Sequence, residues 1–237
     1  PTANALQATK FGNNFFKSID GASTWNPSDA ALMASYVNDL VFDPQNSSII
    51  YAATDTGIFK SVDGGSNWFS AGSGQTPSPV NRLAINPANT SIIYATTGTG
   101  VYKSTDGGSN WVASSSGIVV SNIQPIVIDP ITPGTLYAAG ASSNSVYKST
   151  DGGATWSSPS FLNSANIVLT LAIDPTSPST LYAGTNRGVY KSTNSGNTWS
   201  AMNTGMPFLT SIRALVIDKN NPLTLYTTSN AGVLKTT

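Results

Sequence analysis

SVDGGSNW, the octapeptide at residues 61–68, sets the pattern on which the whole chain is built. The same motif, Ser-x-Asp-Gly-Gly-x-x-Trp, returns at 104–111 and 149–156, and looser copies occupy 18–25 and 192–199. The tryptophans that end the five copies are 43, 43, 45 and 43 residues apart. Self-similarity at a fixed period of this size indicates a repeat architecture in which each unit is one supersecondary element.

The octapeptide has the chemistry of a tight turn between two strands. Its glycines readily adopt positive φ, and its Asp side chain can accept hydrogen bonds from backbone N–H groups two or three residues further on. The Ser hydroxyl can join this network, and the Trp is a large apolar plug whose N–H needs an acceptor. Because one turn chemistry recurs in every unit, we predict a structural rather than a catalytic role. The residues predicted to have this role are Asp20, Trp25, Asp63, Trp68, Asp106, Trp111, Asp151, Trp156, Asn194 and Trp199.

Four strand-like runs fill each repeat, and we label them A to D. Run A, for example 38–44, is apolar and stops at Asp-Pro, as expected for an innermost buried strand. Run B contains a Tyr followed by small residues. Run C alternates so that its Lys lies opposite the core, with the stem on the sheet and the ammonium in water. Run D starts at the Trp.

These runs predict an all-β fold, a β-propeller of four-stranded antiparallel blades, in one domain over residues 1–237. A β-helix is the structural alternative, although its rungs are usually shorter. The N-terminus provides runs B, C and D and the C-terminus runs A, B and C, so six B–C hairpins accompany five A runs and five D runs. Six blades are favoured, with both terminal blades one strand short, and five blades are the alternative. Unpaired terminal edges invite strand addition, so we predict self-association or docking of a neighbouring domain there.

The composition removes most catalytic chemistries. The chain has no Cys and no His, and all 11 of its acidic residues are Asp. Thiol nucleophiles, imidazole bases, zinc sites built on His or Cys and Glu-dependent acid–base mechanisms are therefore excluded, and we predict no cofactor. Asp and backbone carbonyls suit calcium, yet no spaced cluster of carboxylates supports a metal site.

Charge and hydropathy limit the partners and the location. Only 9% of the residues are charged and the formal net charge is zero, which argues against nucleic acid and anionic membranes as partners. No stretch approaches the roughly 18 apolar residues of a membrane span, so no membrane insertion is predicted. The abundance of Ser, Thr and Asn favours a secreted or cell-surface protein, and we find no signal peptide in this chain.

The octapeptide resembles the Asp box of the bacterial-neuraminidase-repeat β-propellers. This superfamily includes sialidases, xyloglucan-cleaving glycoside hydrolases, sortilin-type receptors and the photosystem II assembly factor. The resemblance covers nearly the whole chain and implies the propeller fold. It implies no single function, because these members perform unrelated tasks on one scaffold.

A binding site is expected where the repeat breaks down. In a four-stranded blade the A–B and C–D turns share one end, and the B–C turns and D–A connections form the other, which is irregular here. Binding residues concentrate on variable loops that a rigid scaffold holds. The candidates for contacting a protein or glycan surface are Tyr36, Asp55, Phe161, Arg187, Phe208 and Arg213, with Asp29, Met33 and Arg82 at the same end.

The enzymes of the superfamily suggest two further comparisons. The three arginines resemble the carboxylate-binding triad of sialidases, but that family also needs a Tyr with a Glu partner, and this chain has no Glu. The xyloglucan-cleaving relatives use two aspartates across a wide cleft, for which Asp29 and Asp55 are candidates. However, those enzymes resemble two propellers clamped together, and these repeats make one. The assembly factor uses an Arg patch that three scattered arginines do not reproduce.

The sequence therefore favours a non-catalytic interaction or structural module. We expect it to bind a protein or glycan surface at its irregular end, or to self-assemble through its terminal blades. A glycoside hydrolase that uses two Asp residues and a protein-binding propeller of the assembly-factor type are the alternatives.

Overall fold

The computed structural model describes residues 5–8, 15–27, 32, 35–72, 78–141, 143–162, 166–207, 210–230 and 232–236, except for the side chains of 5–8, 15 and 158–161. These residues form 22 β-strands in six sheets. The strands of the first three sheets are β1 (Ala5–Ala8), β2 (Phe15–Ser18) and β3 (Asn26–Pro27), then β4 (Val37–Phe42), β5 (Ile50–Thr54), β6 (Gly57–Ser61) and β7 (Phe69–Ser70), then β8 (Val80–Ile85), β9 (Ile93–Thr97), β10 (Val101–Ser104) and β11 (Val112–Ala113). The strands of the last three are β12 (Ile123–Ile128), β13 (Leu136–Gly140), β14 (Ser145–Ser149) and β15 (Ser157–Phe161), then β16 (Val168–Ile173), β17 (Leu181–Thr185), β18 (Gly188–Ser192) and β19 (Ser200–Ala201), then β20 (Ile212–Ile217), β21 (Leu225–Ser229) and β22 (Gly232–Lys235).

Each sheet consists of consecutive antiparallel strands, so runs A, B, C and D lie side by side in sequence order. The predicted β-propeller of four-stranded antiparallel blades is confirmed. Four sheets have four strands, and the sheets of β1–β3 and β20–β22 have three. Five sheets begin with a run A strand, and the N-terminal sheet begins with run B instead. The five sheets that begin with run A match the five-bladed alternative rather than the favoured six, and β1–β3 forms an additional three-stranded sheet.

Burial within a sheet is greatest in run B. Every residue of β5, β9, β13 and β17 is buried, because run B has a strand on each side and small residues after its Tyr. The prediction that run A is the buried innermost strand is only partly correct, since several residues of β4 are exposed or half-buried. Run A is an edge strand of its sheet, bonded on one side only. Run D begins one residue after each Trp rather than at it, and β7, β11 and β19 have only two residues, both exposed.

The chain divides into two compact units, residues 1–98 with 102–112 and residues 99–101 with 113–237. In the first unit, the main core joins the sheet of β4–β7 to that of β8–β11. In the second unit, one core joins β12–β15 to β16–β19 and another joins β16–β19 to β20–β22. The buried residues of these three cores include Tyr51, Ile58, Leu83, Ile93 and Trp111, then Tyr137, Val146, Leu171 and Leu181, then Tyr182, Val189, Ile212, Leu215 and Leu225.

One cross-strand row connects neighbouring sheets, and we call it the Tyr–Lys row. In the second sheet it consists of Val41, Tyr51 and Lys60, which are direct neighbours on runs A, B and C. Lys60 Nζ lies 5.2 Å from the centroid of the Tyr51 ring, a cation–π contact worth about 0.5–2 kcal/mol. Tyr51 Oη and Lys60 Nζ also donate hydrogen bonds of 2.9 and 3.1 Å to the carbonyl oxygen of Gly107 in the next sheet. The Lys60 side chain is half-buried, so its ammonium combines this contact with partial exposure.

The same ring contact recurs in four more sheets, where Lys Nζ lies 5.4–5.6 Å from the Tyr ring centroid. The pairs are Lys103 with Tyr94, Lys148 with Tyr137, Lys191 with Tyr182 and Lys235 with Tyr226. In the N-terminal sheet, Lys17 Nζ donates to Ser66 Oγ at 3.3 Å, again in the following octapeptide. Lys17 and Lys60 are thus parts of joints between sheets.

Candidate functional site

The Asp box is closed by hydrogen bonds among its own residues. Asp63 Oδ1 accepts from Ser61 Oγ at 2.8 Å and from Asn67 N at 2.9 Å, and its Oδ2 accepts from Asn67 Nδ2 at 2.6 Å. Ser61 Oγ in turn accepts from Gly65 N at 2.8 Å. Three other copies repeat this pattern, and the copy at 192–199 repeats it with the side-chain contact to Thr198 reversed. Thr replaces Asn67 in three of these four copies. The acceptor therefore serves N–H groups up to four residues ahead, one further than the sequence suggested.

These hydrogen bonds stabilise the charged form of each box carboxylate. The side-chain and backbone hydrogen bonds from Thr155 lower the pKa of Asp151 to about 2, and those from Asn110 lower the pKa of Asp106 to about 2. Thr24 has the same effect on the pKa of Asp20, and Asn67 holds the pKa of Asp63 far below its usual range. A group held ionised in this way is a poor general acid.

The Nε1–H groups of the box tryptophans donate to two kinds of acceptor. Trp68, Trp111 and Trp199 donate from Nε1 to a glycine carbonyl of their own box at 3.1–3.2 Å. Trp156 donates instead to Ser114 O at 2.7 Å. Trp25, in the N-terminal sheet, is 38% exposed. Trp25 is therefore the most exposed of the five tryptophans, while Trp68, Trp111 and Trp156 are buried and Trp199 is intermediate.

The A–B turns lie against the Asp boxes at one end of each sheet, which we call the box end. In the second sheet Gly64 N donates to Ser48 O at 2.8 Å. Asp43 orders the A–B turn by accepting from Gln45 N and Asn46 N at 2.8 and 3.2 Å. Asp129, Asp174 and Asp218 accept from the corresponding backbone groups of their own turns. The described carboxylates at the box end thus all belong to repeated turns with internal hydrogen bonds.

The opposite end of each sheet, the loop end, holds the B–C turns and the D–A connections. Asp55 Oδ1 accepts from Tyr36 N at 2.8 Å, and Asp55 N donates to Tyr36 O at 3.1 Å. The structure therefore brings these two predicted ligand residues together, but it uses the Asp55 carboxylate to fix the chain that enters run A.

Asp55 has counterparts in two other B–C turns, which the sequence analysis missed. Asn186 Oδ1 accepts from Ile167 N at 2.8 Å and Asn230 Oδ1 from Ser211 N at 3.0 Å. The pattern Thr/Ser-Asp/Asn-x-Gly, at 54–57, 185–188 and 229–232, is the signal that could have revealed this recurrence. The contact made by Asp55 is therefore a recurring feature of the B–C turns and is not confined to one sheet.

A polar cluster links the starts of β4 and β8 in the first unit. Asp39 Oδ2 accepts from Leu83 N at 2.9 Å. Arg82 Nη1 donates to Asn38 O at 3.0 Å and to Asn81 O at 2.8 Å. Burial raises the pKa of Asp39, while the Leu83 hydrogen bond and the Arg82 charge oppose that shift. Arg82 thus joins two adjacent run A strands.

The remaining candidates that the structure describes lie at the loop ends of different sheets. Tyr36 is 50% exposed at the entry to β4. Arg187 lies on the turn between β17 and β18, Arg213 lies near the start of β20, and both are exposed. Phe161 is in β15, but its side chain falls outside the described residues, as do Phe208, Asp29 and Met33.

Within the described ranges, no group of three or more His, Cys, Asp or Glu side chains could hold a metal ion. No helix in that part of the chain has the length and apolar character needed to cross a membrane.

Comparison with known proteins places this geometry in a wider group. The profile of the Sortilin-Vps10 family, described as sortilin, neurotensin receptor 3, matches residues 99–208. An ancestral GH74 enzyme is 26% identical over 81% of this chain and 27% of its own, with a TM-score of 0.71. The GH74 xyloglucanase from Xanthomonas campestris is 17% identical over 98% of this chain and 43% of its own, with a TM-score of 0.77. No curated protein matches the sequence.

A structure that is not described as a GH74 enzyme has a similar TM-score. YCF48 bound to D1 peptide is 17% identical over 100% of this chain and 75% of its own, with a TM-score of 0.74. The chain spans less than half the length of either GH74 structure, and identities this low show the fold alone. The octapeptide repeat, the four-stranded sheets and the match to the Sortilin-Vps10 profile over residues 99–208 confirm the predicted resemblance to the Asp-box β-propellers.

Proposed function

We propose that this propeller is a non-catalytic interaction module that binds a protein segment or a glycan at its loop end. A secreted or cell-surface location suits this role, and the match to the Sortilin-Vps10 profile supports it. We also propose that the terminal sheets take part in self-association. The observation that supports the non-catalytic role is the set of hydrogen bonds that the Asp carboxylates accept.

Every described Asp accepts a hydrogen bond from a backbone N–H group. The ten residues are Asp20, Asp39, Asp43, Asp55, Asp63, Asp106, Asp129, Asp151, Asp174 and Asp218. Glycoside hydrolysis needs one carboxyl group that keeps its proton and a second carboxylate about 5–10 Å away. Backbone N–H donors favour the ionised form and occupy the oxygen atoms. These hydrogen bonds support a structural role for the Asp residues rather than a role as a catalytic acid–base pair.

Asp39 is the one described Asp whose pKa is raised. Its Oδ2 is nevertheless occupied by the Leu83 N–H, and Arg82 beside it donates to the carbonyl oxygens of Asn38 and Asn81. These contacts hold the starts of two strands together. They therefore support a structural role for Asp39 as well.

The exposed groups at the loop ends suit recognition. Arg187 and Arg213 present guanidinium groups on the second unit, and such groups bind carboxylates in a bidentate manner. Tyr36 presents an exposed ring in the first unit. The similarity to a YCF48 structure that contains a D1 peptide shows that a propeller of this fold can hold a peptide.

Binding measurements on charge-removing variants test this proposal. The wild-type protein is screened against arrays of acidic peptides and oligosaccharides, and the strongest ligand is titrated by calorimetry. We expect Arg187→Ala or Arg213→Ala to weaken binding about tenfold, which corresponds to about 1.4 kcal/mol. Lys219→Ala is the matched control, because Lys219 is an exposed cation on an A–B turn at the box end. Equal affinity of all three variants would contradict the loop end as the binding surface.

A hydrolysis assay tests the enzymatic alternative directly. The purified protein is incubated with xyloglucan, and released reducing ends are measured beside the variant Asp55→Asn. We expect no release by either protein. Release by the wild type that the substitution abolishes would overturn the non-catalytic proposal.

A further inference from the structure

Two A–B turns of the first unit carry the pattern Asn-x-Ser, in which x is not Pro. They lie at 46–48 (Asn-Ser-Ser) and 89–91 (Asn-Thr-Ser), at the box end of the second and third sheets. The sequence contains no further Asn-x-Ser or Asn-x-Thr of this kind, because the stretch at 26–28 has Pro in the middle. N-linked glycosylation requires this pattern, and it marks a usable site only where the fold leaves it on the surface.

The A–B turns of both units share one geometry at the first position of this pattern. The carbonyl oxygen of that residue accepts a hydrogen bond of 2.8–3.0 Å from the N–H three residues on; the residue is Asn46, Asn89, Thr132, Ser177 or Asn221. In the three turns of the second unit the next residue is Pro133, Pro178 or Pro222, which the turn accepts but glycan transfer does not. In the first unit it is Ser47 or Thr90. The pattern is therefore intact in the first unit, at a position where Pro would also fit the fold.

The two Asn side chains use their oxygen in the turn and leave their nitrogen available. Asn46 Oδ1 accepts from Ser48 N at 3.1 Å, and Asn89 Oδ1 accepts from Ser91 N at 3.2 Å. Among the described residues, neither Asn Nδ2 nor either Ser hydroxyl has a hydrogen-bond partner. The atom that carries an N-linked glycan is thus the one that the turn does not need.

The third Asn at this position differs in that respect. Asn221 Nδ2 donates to Thr224 Oγ1 at 3.1 Å, so its nitrogen is part of the turn. An Asn that carries a glycan retains its Oδ1 acceptor and one N–H. The hydrogen bonds that Asn46 and Asn89 accept can therefore persist after modification.

Both sites are open to solvent and lie next to each other. The two asparagines and the two serines at the third position are exposed. Gln45 Nε2, one residue before the first site, donates to Pro87 O at 3.1 Å in the next A–B turn. A bulky, hydrophilic group can be attached to both turns without disturbing a core.

We propose that Asn46 and Asn89 are acceptor sites for N-linked glycans, an inference that rests on the secreted or cell-surface location in the proposed function. The co-reactant is an oligosaccharide joined through a diphosphate to a lipid, and a transferase of the secretory pathway supplies the catalysis. The Asn Nδ2 forms a bond to the anomeric carbon and gives up one proton. The bond from that carbon to the diphosphate oxygen breaks, and the lipid diphosphate leaves with the electron pair. Both glycans stand at the box end, so the loop end of the same sheets stays accessible.

Expression of the chain behind a secretion leader in cultured insect or human cells tests the proposal. Peptide mass spectrometry with and without a peptide N-glycosidase, which converts a glycosylated Asn to Asp, locates each glycan in the medium and in the cell extract. We expect glycans at Asn46 and Asn89 in the wild type. Ser48→Ala should abolish the glycan at Asn46 alone, and Ser91→Ala should abolish the glycan at Asn89 alone. Ser47→Ala is the matched control, because Ser47 is equally exposed and its position accepts any residue except Pro.

The leader delivers the chain to the glycosylating compartment whatever its natural location. A wild type without glycans would therefore overturn the two acceptor sites, while the loop-end proposal would still stand or fall by the calorimetric titration. A Ser48→Ala variant that keeps the glycan at Asn46, or a Ser47→Ala variant that loses it, would also contradict the proposal.

Discussion

Asn194 shows that the Asp box depends on acceptor geometry rather than on charge. Its Oδ1 accepts from Ser192 Oγ at 3.0 Å and from Thr198 N at 2.9 Å, as an Asp oxygen does in the other boxes. The second contact is reversed, since Asn194 Nδ2 donates to Thr198 Oγ1 at 2.8 Å, whereas Thr155 Oγ1 donates to Asp151 Oδ2 at 2.6 Å. A Thr four residues on can donate or accept, so it suits either residue.

The substitution Asp151→Asn is therefore expected to preserve the third complete box while removing its titration. The pKa of Asp151 is lowered from 3.8 to about 2 on folding. Its contribution to the free energy of unfolding is thus complete above about pH 4 and is lost as the pH falls towards 2. We expect the melting temperature of Asp151→Asn to be near that of wild type at neutral pH and to fall less steeply over this range.

Thermal melts followed by circular dichroism at several pH values check this expectation. Asp151→Ala serves as the control, because it removes the acceptor for Thr155 N and should lower the melting temperature at every pH. Parallel pH curves for wild type and Asp151→Asn would contradict the assignment of acid sensitivity to this carboxylate.

The chain segment that follows β11 makes hydrogen bonds to the Trp of the next sheet. In the second unit, the segment after β11 bonds Trp156 at two points: Trp156 N donates to Ser116 O at 2.8 Å and Trp156 Nε1 to Ser114 O at 2.7 Å. Ser114 Oγ also donates to Gly153 O at 2.6 Å. Gly117 ends this segment with φ of +94°, and a Cβ there would meet the carbonyl oxygen of Trp156. The close approach, and not only the turn, requires glycine.

Two glycine substitutions separate the cost of positive φ from the cost of a clash with the added Cβ. Gly205 also has positive φ, +82°, but a Cβ there would meet no atom within 4 Å. Gly205→Ala is expected to lower the free energy of unfolding by about 1–2 kcal/mol from backbone strain. Gly117→Ala should lose a further ~1–3 kcal/mol from the clash. Urea unfolding measures both values, and equal losses would contradict a steric role for Gly117.

Burial of the box tryptophan predicts an unequal response to its removal. Trp111 packs in the core between the second and third sheets, so Trp111→Ala should cost about 3–5 kcal/mol. Trp25 lies at an uncovered position, so Trp25→Ala should cost about 1 kcal/mol or less in the monomer. Urea unfolding at a concentration where the protein is monomeric tests this difference. A loss for Trp25→Ala as large as that for Trp111→Ala would show that Trp25 is covered within its own chain.

At the scale of the whole molecule, the period of the repeat was sufficient to predict the fold. The spacing from Trp25 to Trp199, with four short runs in each unit, gives the sheets and their strand order. The hydrogen bonds of the Asp boxes could also be anticipated, because they close within eight residues of chain. Local contacts of this kind leave a direct record in the sequence.

The candidate site was less accessible to prediction, because its contacts span distant parts of the chain. Arg82 reaches Asn38 O, 44 positions away, and this contact depends on the packing of two run A strands. The recurrence of the Asp55 contact was hard to predict, because the equivalent residues Asn186 and Asn230 are chemically related to Asp but not identical. Exposure at Tyr36 and Arg187 follows from the packing of neighbouring sheets, and no periodicity encodes it.

The gradient of burial across each sheet predicts the order of amide exchange. Run B strands are buried throughout and bonded on both sides, whereas most run D strands are short and exposed. Deuterium exchange measured by mass spectrometry should therefore be slowest in β5, β9, β13 and β17 and fastest in β7, β11 and β19. β21, whose sheet has one uncovered face, should exchange faster than β17. Uniform protection across a sheet, or equal rates in β17 and β21, would contradict this.

The repetition of the same contacts in each unit has a consequence for the origin of the protein. The box completes its own hydrogen bonds, and the apolar core between sheets uses residues that recur at the same positions of each unit. A gene segment encoding one unit of about 43 residues can therefore be duplicated or deleted without redesign of the units on either side. Because the units are equivalent, we expect recombination within the gene to produce relatives with more or fewer units.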